Sequence, residues 1–407
     1  MRILWLTTKP PWPPSDGGRL LQVVTLDGLG ERGALVKVVA PVEAGTMGGE
    51  TPEEASRGGE ASGGRHELVR VEVRRKGALG FALAARPGGL PLAIARHRHR
   101  EMLDEVERSL AAEPFDLVHV EQVHALCHAA PALERRLPVV LRAQNVESDL
   151  WRGGSRLLPL RGALLTVEVL RLRRWEGRAV RRATRVTALT ASDASRLERL
   201  AGLPPGGVEV LAPPFPAALP ASGTRLDGEP PVVLFGSSWL PNRDAAEWFR
   251  WQVWPAVRHR LPGARLHWFG GAPQAAAGEG GIEVHPAPAE SAEAFAPGAI
   301  LVLPLRLGSG VRMRILEAWA RGTPVVATPA AAAGLAAEDG GNLLLASSAE
   351  AFAGALAGLA GDPARVAALA AAGRRTLAAH HDPAAVTGQL LGLYERATAD
   401  RRVNRRR

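Results

Sequence analysis

Short apolar runs recur along this chain. Each is closed by glycine or proline and followed by a stretch with helical spacing, and this alternation constrains the fold more than any other feature. Ile3–Thr7 reads as a buried strand, Ser15-Asp16-Gly17-Gly18 as a turn, Arg19–Arg32 as a helix with Leu20, Val23, Val24 and Leu26 on one face, and Val36–Ala40 as the next strand. Phe115–Val120, Pro138–Leu141 and Val186–Leu189 continue the series. Between Leu203 and Pro231 lie eight prolines and few periodic apolar positions, which predicts a linker. A second series follows: Val232–Phe235 ending at Gly236, a helix capped by Asn242, then strands at Arg265–Phe269, Ile300–Leu303 and Pro324–Ala327. Strands separated by helix-length segments form parallel sheets with helices on both faces.

The expected architecture is therefore α/β, with two Rossmann-like domains. Residues 1–203 form the first, 204–231 the linker and 232–385 the second. Residues 386–398 form a helix that crosses back to the first domain, and 399–407 a basic tail. The stretch 42–64 reads as a loop, and 69–100 as an arginine-rich region. Such sheets bind ligands beyond the carboxyl ends of their strands, so a cleft between the two domains is the expected site.

At 407 residues the chain is long enough for two cores. Its 46% hydrophobic and 22% charged residues are ordinary for a soluble protein. A single cysteine, Cys127, forms no internal disulfide and reads as an inert thiol. The first residues make too short an apolar run for a signal peptide, and no apolar run reaches the roughly 18 residues of a spanning helix, so a cytoplasmic protein is expected. The net charge of +9 is almost all arginine, which suits acidic lipid or phosphorylated small molecules. Signatures of common nucleic-acid modules are missing, so nucleic acid is not an expected partner. Arg171, Arg173, Arg174, Arg178, Arg181 and Arg182 share a predicted helix; a solvated face and a surface docking on anionic membrane are both open readings.

The segment Leu303–Val326 carries the most chemistry. A strand ends at Pro304, a Gly308-Ser309-Gly310 turn follows, and a helix with Ile315, Leu316 and Trp319 on its apolar side runs to Gly322. A small-residue turn at a helix N-terminus presents bare N–H groups and the positive end of the helix dipole to an anion. Arg312 and Arg314 add charge that suits phosphate oxygens. Glu317 accepts hydrogen bonds only, which suits the paired hydroxyls of a ribose. A plain turn with a solvated arginine face is the alternative.

These residues resemble family 4 glycosyltransferases of the GT-B fold, in the subgroup reading Gly-Ser-Gly, a basic pair, Ile-Leu-Glu-Ala and Gly-x-Pro-Val-Val. The resemblance runs over essentially the whole chain. It rests on Gly17-Gly18, Gln144-Asn145-Val146-Glu147-Ser148, Trp239–Ala245 and Ser309–Val326, in that order and each at a strand's carboxyl end. It implies two facing Rossmann-like domains and a retaining transfer of a hexose-like sugar from a nucleotide-diphosphate sugar to a saccharide or lipid-linked acceptor hydroxyl, in cell-surface polysaccharide or glycolipid synthesis. It implies that Arg312 and Arg314 meet the diphosphate, with Gly17, Gly18, Gly236, Ser309, Gly310, Val311 and Glu317 on the donor. Asn145 and Glu147 fall on the acceptor side. Gln144 stands near the sugar, where a histidine is usual, and counts with the two arginines as a catalytic candidate; glutamine takes up no proton, so its role is positional. Ser309 replaces the first of the family's paired glutamates.

No Asp-x-Asp pair is present, which agrees with a metal-independent reaction needing no cofactor. Glu147 has a second reading as a helix cap. His119 and His124 read as packed histidines before catalytic ones. Two rivals share the fold: a non-catalytic nucleotide-sugar binder, favoured by Gln144 and Ser309, and a nucleotide-sugar epimerase. A nicotinamide enzyme is disfavoured by the missing Gly-x-Gly-x-x-Gly run.

Overall fold

The computed structural model describes residues 1–14, 16–44, 66–74, 77, 80, 89–156, 162–220, 222–237, 239–273, 276–288 and 290–404. Two compact units divide the chain. One comprises Met1–Pro14, Gly18–Pro214 and Pro383–Arg407, the other Phe215–Asp382 together with Ser15–Gly17.

The N-terminal unit is built on seven parallel strands: β1 (Arg2–Leu6), β2 (Leu35–Glu43), β3 (His66–Val73), β4 (Leu117–Glu121), β5 (Val139–Ala143), β6 (Arg185–Ala188) and β7 (Glu209–Val210). Their order is β3-β2-β1-β4-β5-β6-β7. The sheet reverses direction between β1 and β4, and crevices in open α/β sheets form at that switch point. Side chains alternate across it. Leu4, Leu6, Val118 and Val120 enter one core, while Ile3, Trp5, Leu117 and Val140 enter the other. The main helices are α1 (Gly17–Glu31), α2 (Arg100–Ala112), α3 (Glu147–Arg156), α4 (Gly162–Arg182) and α5 (Ala191–Ala201). Thr190 caps α5 by accepting from the backbone N–H of Asp193, and Gly202 ends it in the left-handed region at φ 65°.

The second unit has six parallel strands: β8 (Pro231–Phe235), β9 (Arg265–Phe269), β10 (Ile282–His285), β11 (Ile300–Leu303), β12 (Val325–Ala327) and β13 (Leu344–Leu345). Their order, β10-β9-β8-β11-β12-β13, places a switch point between β8 and β11. Helices α6 (Leu240–Trp248), α7 (Trp254–Arg260), α8 (Met313–Arg321), α9 (Ala349–Ala360) and α10 (Pro363–His380) surround it. The final helix, α11 (Pro383–Asn404), belongs to the first unit, where Val386, Leu390, Leu393 and Ala397 join the core that contains Trp5.

Several sequence expectations change. The 204–231 stretch contains β7 and the first residue of β8, so it is not a free linker. β3 was read as an arginine-rich region, although its alternation of His, Leu, Arg and Glu is the period of a half-exposed strand. β10 and β13 are too short to stand out from their Gly- and Pro-rich flanks. Asn242 is not a cap: α6 begins two residues before it, and its amide donates to Ser237 Oγ at 2.8 Å. Helix α11 starts before residue 386 and takes in most of the expected tail. Residues 45–64 of the expected loop, with Arg75, Lys76, Arg86 and Arg405–Arg407, lie outside the described residues.

Candidate functional site

In the N-terminal unit, strand register assembles a polar cluster inside an apolar core. Trp5 pairs with His119, and Glu121 with Arg142, so all four side chains fall on one sheet face. Glu121 is fully buried and Arg142 is 1% exposed. Arg142 grips Glu121 with Nε at 2.9 Å and a second guanidinium nitrogen at 2.5 Å, and its other arm donates to Thr25 Oγ1 at 3.0 Å. Burial works against the Glu121 charge; the guanidinium beside it outweighs that and holds its carboxyl at about 2. His119 is pushed down to about 4, first by burial. Its neutral ring stacks on Trp5 at 3.7 Å. Glu121 only accepts, so the His119 Nε2 hydrogen points to it across 3.3 Å, and Nδ1 receives the hydroxyl of Tyr394 at 2.7 Å.

Gln144 joins this cluster. Its amide N–H donates to Glu121 Oε1 at 2.8 Å, and its carbonyl accepts from Gln122 Nε2 at 2.9 Å. Both amide atoms are engaged, so the side chain has one orientation. Gln122 itself sits at φ 69° in the turn after β4, a costly conformation for a residue other than glycine. His119 is a packed histidine, as read from sequence. Glu121, Arg142 and Tyr394 were missed. For Glu121 and Arg142 the signal is a charge in a mostly apolar strand, Leu117–Glu121 and Val139–Ala143.

Beside it, Glu147 opens α3 without capping it. The cap is Glu176 of α4, which accepts from the N–H groups of Glu147 at 2.6 Å and Ser148 at 3.0 Å. Burial raises the Glu147 carboxyl to about 7, against the pull of Arg96 and a hydrogen bond from Asn145. Burial also lifts Glu176 to about 8, with Glu147 adding to it. His124 Nε2 lies 3.6 Å from Glu147, and burial holds that ring neutral, at about 4. The arrangement places a carboxyl that exchanges protons near neutral pH next to Asn145. Gly17 and Gly18 open α1.

In the second unit, β11 delivers the loop Pro304–Arg312. Arg306 makes a bidentate pair with Asp244, at 2.6 and 3.1 Å, tying the loop to α6. Thr328 Oγ1 holds the Leu305 carbonyl. Gly310 stands at φ 77°, a conformation that favours glycine and turns the chain into α8. Ser309 is 6% exposed, while Val311 is half-buried. Arg312 folds back onto its own loop, donating to the carbonyls of Ser309 and Gly310, so in this state it serves the turn. Arg314 lies over the Phe235 ring at 4.1 Å and donates to Glu317 Oε2 at 2.7 Å. Arg321 Nε reaches the other oxygen at 3.3 Å, where the Ser291 hydroxyl also donates. Arg314 and Glu317 thus come together beside Phe235 at the carboxyl end of β8, while Ser309 lies in the loop that leads into α8. Packing also requires glycine at Gly236: a Cβ there would stand 2.3 Å from Trp268 Nε1 and 2.5 Å from the Gly270 carbonyl, where β8 packs on β9. Ser291 and Phe235 were not legible as neighbours of Glu317, because they come from other elements; Arg321 follows Glu317 by one turn of α8.

The family model described as "Glycosyl transferase 4-like domain" matches residues 25–214, and the one described as "Glycosyl transferases group 1" matches residues 230–362. None of the curated proteins matches the sequence. Among solved structures, Anabaena HepE in complex with UDP and glucose is 16% identical at a TM-score of 0.65, with 97% of this chain and 99% of that one covered. Sucrose-phosphate synthase from Thermosynechococcus elongatus is 14% identical at 0.70, covering 98% and 100%. TarM is 8% identical at 0.67, covering 97% and 98%. These structures share the fold, and the two family models, one on each half of the chain, give the family: this is a glycosyltransferase with the GT-B fold of two Rossmann-like domains.

Proposed function

We propose that the chain is a family 4 enzyme that moves a hexose-like sugar from a nucleotide-diphosphate sugar to an acceptor hydroxyl, with retention at the anomeric carbon. The observation that carries this reading is the Ser291 hydroxyl on Glu317: a buried carboxylate already accepts a neutral hydroxyl there, the contact a ribose makes. The positive end of α8, Arg314 and Arg312 flank it and suit a diphosphate. HepE, of like fold, is known in complex with UDP-glucose.

On this reading the bond from C1 to the diphosphate breaks and the bond from C1 to the acceptor oxygen forms on the same face. The acceptor's proton passes to the leaving phosphate. Arg312 unfolds from its loop carbonyls to join Arg314 on the developing charge. Gln144, held by Glu121 and Gln122, orients the sugar or acceptor and moves no proton. Asn145 and Glu147 line the acceptor side, and Gly17-Gly18 offer N–H groups to the phosphates. The reaction needs no metal or other cofactor. The enzyme serves cell-surface polysaccharide or glycolipid synthesis in the cytoplasm, peripheral to the inner face of the membrane; no helix among the described residues is long and apolar enough to cross one.

Calorimetry with UDP and uridine tests the phosphate grip. Wild type binds UDP more tightly, and alanine at Arg312 or Arg314 narrows the gap. If neither narrows it, the assignment is wrong.

A further inference from the structure

At the outer edge of the second sheet, β9 and β10 bring three metal-ligand side chains onto one face. His267 and Glu283 are register partners, and His285 follows Glu283 by two residues. Their neighbours Leu266, Trp268 and Ile282 point the other way, into the core. The ligand atoms of His267, Glu283 and His285 all lie within 4.8 Å of one another. His267 Nδ1 is 3.0 Å from His285 Nε2 and 3.5 Å from a Glu283 carboxylate oxygen. A tetrahedral zinc ion with bonds of about 2.0–2.2 Å spaces its ligand atoms by about 3.3–3.6 Å, so little movement is needed to receive one.

The tautomer is already set. His267 Nε2 lies 2.8 Å from the carbonyl of Asp227, which only accepts, so the hydrogen is on Nε2 and the Nδ1 lone pair faces the cluster. A backbone carbonyl behind a ligating imidazole is the outer partner that orients such ligands and raises their basicity. The Phe269 ring stacks on His285 at 4.5 Å and 17°, fixing that ring as well. His267 is buried at 1% exposure, while Glu283 and His285 are half-exposed, which leaves a fourth position open to water.

We propose that His267, Glu283 and His285 form a three-ligand site for a divalent ion of the zinc class, selected by two imidazoles and one carboxylate. The ion fastens edge strand β10 to β9 and, through His267, to the backbone at Asp227. Ser291, the partner of Glu317, follows the end of β10 by six residues. No step of sugar transfer passes through it, and the site stands or falls independently of the donor assignment.

The test uses the full chain, free of any affinity tag and stripped with a chelator, titrated with Co²⁺ and then Zn²⁺. Wild type is expected to take one Co²⁺ per chain with the strong visible band of a four-coordinate ion, and Zn²⁺ to displace it. Zn²⁺ also raises the unfolding temperature. Glu283→Gln and His285→Gln each weaken binding at least tenfold and abolish the Zn²⁺-dependent shift, whereas His259→Gln, an exposed histidine on α7, changes neither. A wild type without the band overturns the proposal, as does metal binding that survives unchanged in both folded variants.

Discussion

Each domain of this glycosyltransferase holds a buried carboxylate paired with arginine, Glu121 with Arg142 and Glu317 with Arg314 and Arg321, and the two are built differently. Glu121 takes its partners from the sheet: His119 from β4, Arg142 from β5 and Gln144 from the residue after β5. Every partner is buried, and a helix from the far end of the chain seals the group through Tyr394. Glu317 takes its partners from helix α8 and a loop. Arg314 retains a quarter of its side-chain exposure, and Ser291 contributes a lone hydroxyl. The first carboxylate has nowhere to exchange a partner. The second has two that an incoming ligand can replace. Arginine pairing alone therefore marks no binding site; what matters is whether the partners sit on exchangeable elements.

Removing Glu121 should have the largest effect. Glu121→Ala leaves Arg142 charged and buried without its partner, which costs roughly 3–5 kcal/mol. Denaturant unfolding followed by a probe in the N-terminal domain measures it, and a loss below about 1 kcal/mol would break the contrast. At Glu317 the larger change should appear in binding. Glu317→Ala is expected to weaken UDP by roughly 1.5–3 kcal/mol, a factor of about 10–150, with a smaller stability cost. A variant that unfolds easily but binds UDP normally would make the two carboxylates alike.

A third test asks whether the rigid N-terminal cluster extends to Glu176 and Glu147. Burial raises both above the ordinary 4.5, to about 8 and about 7. The folded state then holds protons that the unfolded chain releases, so this contribution is full below about pH 4.5 and lost as pH rises through 7 to 8. His124, held at about 4, acts in the opposite sense and loses stability as pH falls. Comparing Glu176→Gln with wild type isolates the acid. The variant should flatten the decline between pH 5 and 8, by at most about 1.4 kcal/mol per pH unit for one group. Parallel curves would show that Glu176 titrates normally. The smallest effect belongs to the half-exposed pair of Arg306 and Asp244, where Arg306→Ala should cost about 0.2–1 kcal/mol in urea unfolding. A larger loss would mean that the loop before α8 is held as firmly as the N-terminal cluster.

The doubly wound fold was legible because buried parallel strands read as apolar runs, and the loop Gly308–Gly310 was legible because its glycines and arginines are contiguous. Edge strands β3 and β10 were not, since half-exposed or very short strands carry little apolar signal. Gln144 was singled out from its place after a strand, but the buried cluster it joins was hidden by distance: Glu121 and Arg142 lie 21 positions apart, and Tyr394 follows His119 by 275. The packing demand on Gly236 was not legible either, since it comes from the indole of Trp268, 32 positions further on.

Helix α11 has a consequence for biogenesis. A ribosome emits the first 214 residues of the N-terminal domain, then the whole second domain, and only afterwards the segment that covers Trp5 and His119. The usual order, in which the leading domain matures first, is reversed. The second domain is nearly contiguous and can close while its predecessor still displays an open apolar face. That face is a mark that chaperones and proteases can read, so a chain cut short near Asp382 would carry an intact second domain and still be discarded.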